Sequence, residues 1–159
     1  MSTHNVTKSL FLPELKFIKQ ISTSRNKERI FEVHKCSKFE VCPKCANKCS
    51  SIYDHVFLTI RDVPLRGKIV ILKIKKRRFK CQNCKSIFRE PVNGIKKGFR
   101  TTQRYRRNLM HDSSNFDTLK KVAKRNNCSQ WLVYKCFYEQ VELENRKYQT
   151  PWPKTVGID

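Results

Sequence analysis

The chain has 159 residues, eight cysteines and a formal net charge of +22, from 35 Lys and Arg against 13 Asp and Glu. A calculated pI near 10.0 makes phosphate the natural counter-charge, and the proline, glycine and strand-like alternation of the basic region do not fit a basic amphipathic membrane helix. No apolar run approaches the roughly 18 residues of a membrane span, and the polar start Met1–Lys8, with Leu10-Phe11-Leu12 broken by Pro13, does not read as a signal peptide.

In chain order, the first predicted elements are two strands. Leu15, Phe17 and Ile21 lead into the polar stretch Ser22-Thr23-Ser24-Arg25-Asn26-Lys27, and Ile30, Phe31 and Val33 follow, so residues 1–40 read as an N-terminal β-hairpin region. Residues 41–92 carry two Cys-x-x-Cys pairs, Cys42-Pro43-Lys44-Cys45 and Cys81-Gln82-Asn83-Cys84. Four thiolates close a tetrahedron around zinc, a structural site with no open position for substrate. In a cytoplasmic chain thiols stay reduced, which favours metal ligation over disulfides. Small buried cysteines and a disulfide framework remain the alternatives.

The spacer between Cys45 and Cys81 is 35 residues, longer than the simplest double-pair signature, so it must fold by itself. Val56, Leu58 and Ile60, then Val70, Leu72 and Ile74 after Pro64-Leu65-Arg66-Gly67, alternate as a hairpin between two knuckles. Cys36 or Cys49 is an alternative ligand, because Cys42-x-x-Cys45-x-x-x-Cys49 is sterically feasible; Cys128 and Cys136 fall in a helical pattern and read as buried free thiols.

The basic excess is concentrated. From Arg61 to Arg107 there are 17 basic residues and two acids, Asp62 and Glu90. Lys73, Lys75, Lys76, Arg77, Arg78 and Lys80, on a strand entering the second knuckle, are candidate phosphate contacts. Phe79, Phe88 and Tyr105 are candidate stacking groups, should the partner be RNA.

Pro91–Gly98 contains Asn93-Gly94 and reads as a boundary loop. Beyond it, Thr101 or Thr102 caps a helix with Arg104, Arg106 and Arg107 facing outward, ended by Asp112-Ser113-Ser114-Asn115. Leu119, Val122 and Ala123 mark a second helix, and Val133, Cys136 and Phe137 a third. Between them Arg125-Asn126-Asn127 forms a corner with Asn127 left-handed, and Ser129 caps the third helix. Residues 99–148 thus read either as a helix-turn-helix domain in which Gln130, Trp131, Tyr134 and Lys135 face a DNA groove, or as an ordinary helical hairpin with Trp131 and Tyr134 in its core; the basic charge and the cysteine pairs favour the first. The predicted class is α+β: an N-terminal hairpin and zinc ribbon followed by a small all-α domain.

This order of features, with Ile60-Arg61-Asp62-Val63-Pro64 and Arg78-Phe79-Lys80-Cys81, resembles the ISL-three family of bacterial insertion-sequence transposases. The resemblance implies a zinc ribbon ligated by Cys42, Cys45, Cys81 and Cys84, and a helix-turn-helix that binds the double-stranded ends of the element in the bacterial cytoplasm, near the nucleoid. It also implies a homodimer or an intact transposase as protein partner. Residues 149–159 then become a linker and, at Val156-Gly157-Ile158-Asp159, the first strand of a ribonuclease-H-like domain. Asp159 is implied as the first acid of a triad that would bind a divalent metal such as Mg2+ in a longer parent. With no second or third acid, the resemblance implies no catalysis by this chain. An RNA-binding or ribosome-associated zinc ribbon is the alternative, and a metal-dependent enzyme a more distant one.

Overall fold

The computed structural model describes residues 12–21, 28–115 and 118–147. Residues 149–159, with Asp159, lie outside these. The chain divides after Tyr105 into two compact units. The fold is mixed: among the described residues, seven strands precede three helices.

In the first unit, β1 (Leu15–Ile21) and β2 (Glu28–Lys35) pair antiparallel. Strands β5 (Ile52–Leu65) and β6 (Lys68–Lys80) form the long hairpin that the apolar alternation predicts. Its two-residue turn holds Arg66 at φ 51° and Gly67 at φ 71°. Positive φ at both central positions is the turn whose twist matches that of the flanking strands, and Gly67 takes it without a steric penalty.

The N-terminal hairpin does not stand apart. A lone two-stranded hairpin is marginal in water, and β2 instead runs parallel to β6, with Phe31 opposite Leu72 and Val33 opposite Ile74. The sheet order is β1-β2-β6-β5, and β7 (Ile87–Arg89) adds to β6 beyond the end of β2. Strand β6 is therefore central.

One face of this sheet carries the apolar core of Leu12, Leu15, Phe31, Val33, Ile60, Val70, Leu72, Ile74 and Val92. Residues 91–98, read from the sequence as a loop, form one and pack into this core through Val92, and the Gly94 carbonyl accepts from the amide of Gln103 at 2.7 Å. A smaller cluster of Cys42, Cys49, Phe79 and Cys81 lies at the other end of β6. Ile74 and Phe79 are five residues apart and both fully buried. Side chains alternate along a strand, so the two clusters sit on opposite faces of β6.

Helix α1 (Gln103–Ser114) starts where residues 100–102 align beside β5: Arg61 N donates to Arg100 O at 2.8 Å and Thr102 N to Arg61 O at 2.9 Å. Thr102 is the cap, its hydroxyl accepting from Tyr105 N at 3.1 Å. In the second unit, α2 (Leu119–Arg125) is capped by Thr118 and buries Val122 and Ala123, while α3 (Gln130–Lys147) buries Val133 and Cys136. Their corner is a Schellman motif: Cys128 N donates to Ala123 O at 2.9 Å and Asn127 N to Lys124 O at 3.2 Å, with Asn127 at φ 47°. Ser129 caps α3 through Leu132 N at 3.2 Å. Asn126 is buried, and its amide donates to Asp112 of α1 at 2.7 Å.

Candidate metal centre and nucleic-acid interface

The two Cys-x-x-Cys segments fold alike. Each leaves a strand, turns, and returns: Cys42 follows β3 (Glu40–Val41) and leads to β4 (Lys48–Cys49), while Cys81 follows β6 and leads to β7. The first cysteine's amide closes each turn, Cys42 N to Asn47 O and Cys81 N to Ser86 O, both at 2.9 Å. The residue after the second cysteine is left-handed in both, Ala46 at φ 56° and Lys85 at φ 58°.

These turns bring Cys42, Cys45, Cys81 and Cys84 together, with their sulfur atoms all within 4.8 Å of one another. Cys42 Sγ lies 3.5 Å from Cys84 Sγ, and Cys45 Sγ lies 3.5 Å from Cys81 Sγ. A tetrahedron with metal–sulfur bonds of 2.3 Å has edges of about 3.8 Å, so the four thiols fit a closed zinc site. In the metal-free form the four are unequal. The Ser86 hydroxyl, 3.4 Å away, and the amides of Lys44 and Cys45 favour the Cys42 thiolate against burial and bring it down to about 6. Cys81 is lowered by the amide of Cys84, against burial. Cys45 is drawn down by the amide of Asn47, but burial and the other thiols outweigh this and push it up to about 11. Cys42 and Cys81 are thus drawn toward the thiolate that ligation requires, whereas Cys45 must lose its proton to the metal.

Cys49 is buried beside this group, and burial, then the neighbouring Cys81, pushes its thiol up to about 11. It lines the site as an apolar wall, outside the four-sulfur set. Cys36 is exposed and faces His34 Nε2 at 3.2 Å, away from the four sulfurs. Burial raises Cys136, in keeping with a buried free thiol, whereas Cys128, read the same way from the sequence, is only half-buried at the corner after α2.

The six cationic candidates on β6 do not share a surface. Alternation puts Lys73, Lys75 and Arg77 on one face and Lys76, Arg78 and Lys80 on the other. Arg77 is committed within the fold: it binds the fully buried Glu90 and donates to Ser37 O at 2.7 Å. Arg78 is paired with Asp54, each holding the other charged. Arg89, opposite Arg78 on β7, joins Lys76 and Lys80 on their face; no sequence signal marked it beyond its alternation.

The sequence pattern points Arg104 outward, but its Nε donates to the buried carboxylate of Asp62 at 2.7 Å. Arg106 is buried and paired with Glu139. Of the three arginines on α1, Arg107 is the exposed one. The acids that claim these cations come from distant segments, which no local spacing reveals.

On α3, Gln130, Trp131, Tyr134 and Lys135 are all exposed, Trp131 at 68%. Trp131 stacks on Tyr134 with centroids 5.5 Å apart, and Tyr134 meets Tyr138 at 4.4 Å. The stacking groups named for an RNA partner fare differently: Phe79 and Tyr105 are fully buried and Phe88 stacks on Phe79.

No helix among the described residues is long and apolar enough to cross a membrane. Residues 38–84 match the family described as the zinc-finger of transposase IS204/IS1001/IS1096/IS1165. This segment holds both knuckles and the hairpin between them. No curated protein and no solved structure matches the chain.

Proposed function

We propose that this chain is the DNA-binding front part of an ISL-three-type transposase, and that it recognises the terminal inverted repeats of an insertion sequence. The observation that carries this reading is the four-cysteine cluster, which falls on Cys42, Cys45, Cys81 and Cys84 inside the segment similar to a transposase zinc finger. Zinc would pin the two knuckles and so fix the end of β6. Its role is structural, since four sulfurs leave no position for water or substrate.

The duplex is met by two sets of groups. Lys76, Arg78, Lys80 and Arg89 present cations on one face of β6 and β7 and contact phosphates without reading sequence. Helices α2 and α3 act as a helix-turn-helix, with Gln130 and Lys135 at base edges and Trp131 and Tyr134 against sugar and thymine methyl groups. Arg107 adds a phosphate contact from α1. The tight Schellman corner and the exposure of the first turns of α3 support this assignment. The RNA alternative loses two of its three named stacking residues to the core.

The test is a fluorescence-anisotropy titration of zinc-loaded and chelator-treated chain against duplex DNA carrying element ends, at two salt concentrations. The zinc-loaded chain is expected to bind tightly with a steep salt slope, and chelation to abolish binding. Equal binding with and without zinc, or no binding to duplex, rejects the reading.

A further inference from the structure

Strand register exposes a surface that the zinc site and the three helices leave unexplained. On the sheet face opposite the apolar core, Lys16 of β1, His34 of β2, Lys75 of β6 and Phe57 of β5 are successive register partners and form one row. The next row is Lys19, Glu32, Lys73 and Thr59. Rows two residues apart on a strand are separated by about 7 Å.

Phe57 is 54% exposed in the middle of its strand. A ring needed for folding would turn to the core face, where Leu58 and Ile60 point. The Lys73 ammonium lies over the ring, 4.8 Å from its centroid, so a cation and a flat aromatic surface arrive at one spot. The two rows hold four lysines against the single acid Glu32, which pairs with Lys19 at 3.8 Å.

We propose that this open sheet face binds an unpaired nucleic-acid strand, with a base stacked on Phe57 and its phosphates met by Lys16, Lys73 and Lys75. Stacking on an aromatic platform requires a base freed from its own helix, which a duplex does not offer. Phosphate neutralises the local excess of lysine, and any base has a face to stack, so the site is tolerant of sequence. It lies across β6 from Lys76, Arg78 and Lys80, and is therefore distinct from the duplex surface proposed above and independent of it.

The experiment uses the zinc-loaded full chain with fluorescein-labelled oligo(dT), oligo(rU) and a DNA duplex, each titrated against wild type, Phe57→Ala, Phe57→Leu, the double variant Lys73→Gln/Lys75→Gln, and the double variant Lys80→Gln/Arg89→Gln. Both Phe57 variants are expected to lose about tenfold or more on the single strands and to stay within about twofold of wild type on the duplex. Phe57→Leu keeps an apolar side chain, so it serves if the alanine variant melts early or loses zinc. Lys73→Gln/Lys75→Gln weakens the single strands, whereas Lys80→Gln/Arg89→Gln weakens the duplex. Single-strand affinity unchanged by Phe57→Leu, or equal losses on strand and duplex, overturns the proposal. Absence of duplex binding alone would sink only the transposase reading.

Discussion

Arg77 and Glu90 are joined through both backbone and side chain. The Arg77 amide donates to Glu90 Oε1 at 2.8 Å, while Nε and Nη2 of the guanidinium reach Oε2 at 2.9 and 2.7 Å. The same guanidinium holds the carbonyl and hydroxyl of Ser37, both at 2.7 Å. Lys35 and Glu40, 2.7 Å apart, extend the network. The most basic stretch of the chain is thus tied at its centre to the segment just before the first knuckle.

Arg77→Ala leaves a fully buried carboxylate without its cation, and is expected to cost about 3 to 5 kcal/mol. Arg77→Met combined with Glu90→Leu should recover most of that. Chemical denaturation of the zinc-loaded chain measures both; a loss under about 1 kcal/mol for the single variant would mean that water reaches Glu90.

Zinc affinity should climb with pH. Cys45, pushed up to about 11, is protonated in the metal-free chain across the neutral range, whereas Cys42, at about 6, is already a thiolate above that pH. Binding therefore expels at least the Cys45 proton, and apparent affinity rises at least tenfold per unit between about pH 6 and 11. Below about pH 6 protonation of Cys42 steepens the fall. Competition with a chromogenic chelator over a pH series gives the slope, and a flat profile from pH 6.5 to 8.5 would contradict the thiol assignment. Cys81→Ser should lower bound zinc from one equivalent to near none.

Asn127 occupies the left-handed position of the corner between α2 and α3, at φ 47°. Glycine adopts this conformation without a Cβ penalty and a β-branched residue resists it. Asn127→Gly should leave the helical melt level or raise it slightly, and Asn127→Val should cost about 1 to 2 kcal/mol. Equal melting of the two variants would show that the corner does not constrain the unit.

The split of cations between the faces of β6 should appear in duplex binding. Lys80→Gln is expected to reduce the logarithmic salt slope by about 0.9, as one lost phosphate contact does, while Lys75→Gln leaves it unchanged. Identical slopes for both variants would mean that the duplex does not distinguish the faces.

The parts of this structure that the sequence announces are those written in short spacings. Each Cys-x-x-Cys pair is a single turn, Ser129 caps the residue three positions on, and Asn127 sets its own corner. The four metal candidates therefore came together as the spacing suggested. What short spacings do not encode depends on partners far along the chain. Arg77 finds Glu90, Arg104 finds Asp62 and Arg106 finds Glu139, so three arginines that look free in the sequence are spent inside the fold. The parallel alignment of β2 with β6 is equally invisible, because the intervening residues contain a whole knuckle. The exposure of Phe57 follows from which face of the long hairpin the core covers, and no local spacing encodes it. Charge counting finds a basic stretch, but only register divides it into two surfaces.

Strand β6 faces the sheet core at Ile74 and the metal cluster at Phe79. An odd number of steps separates the two, so the strand carries a parity as well as a length. Inserting one residue at Lys76 would turn one of these side chains into water, whereas inserting two would keep both inward and merely lengthen the arm between them. Zinc retention by the two insertion variants would distinguish these outcomes. Homologues of this module should accordingly vary here in steps of two, with the sheet and the metal centre free to move apart but not to trade sides.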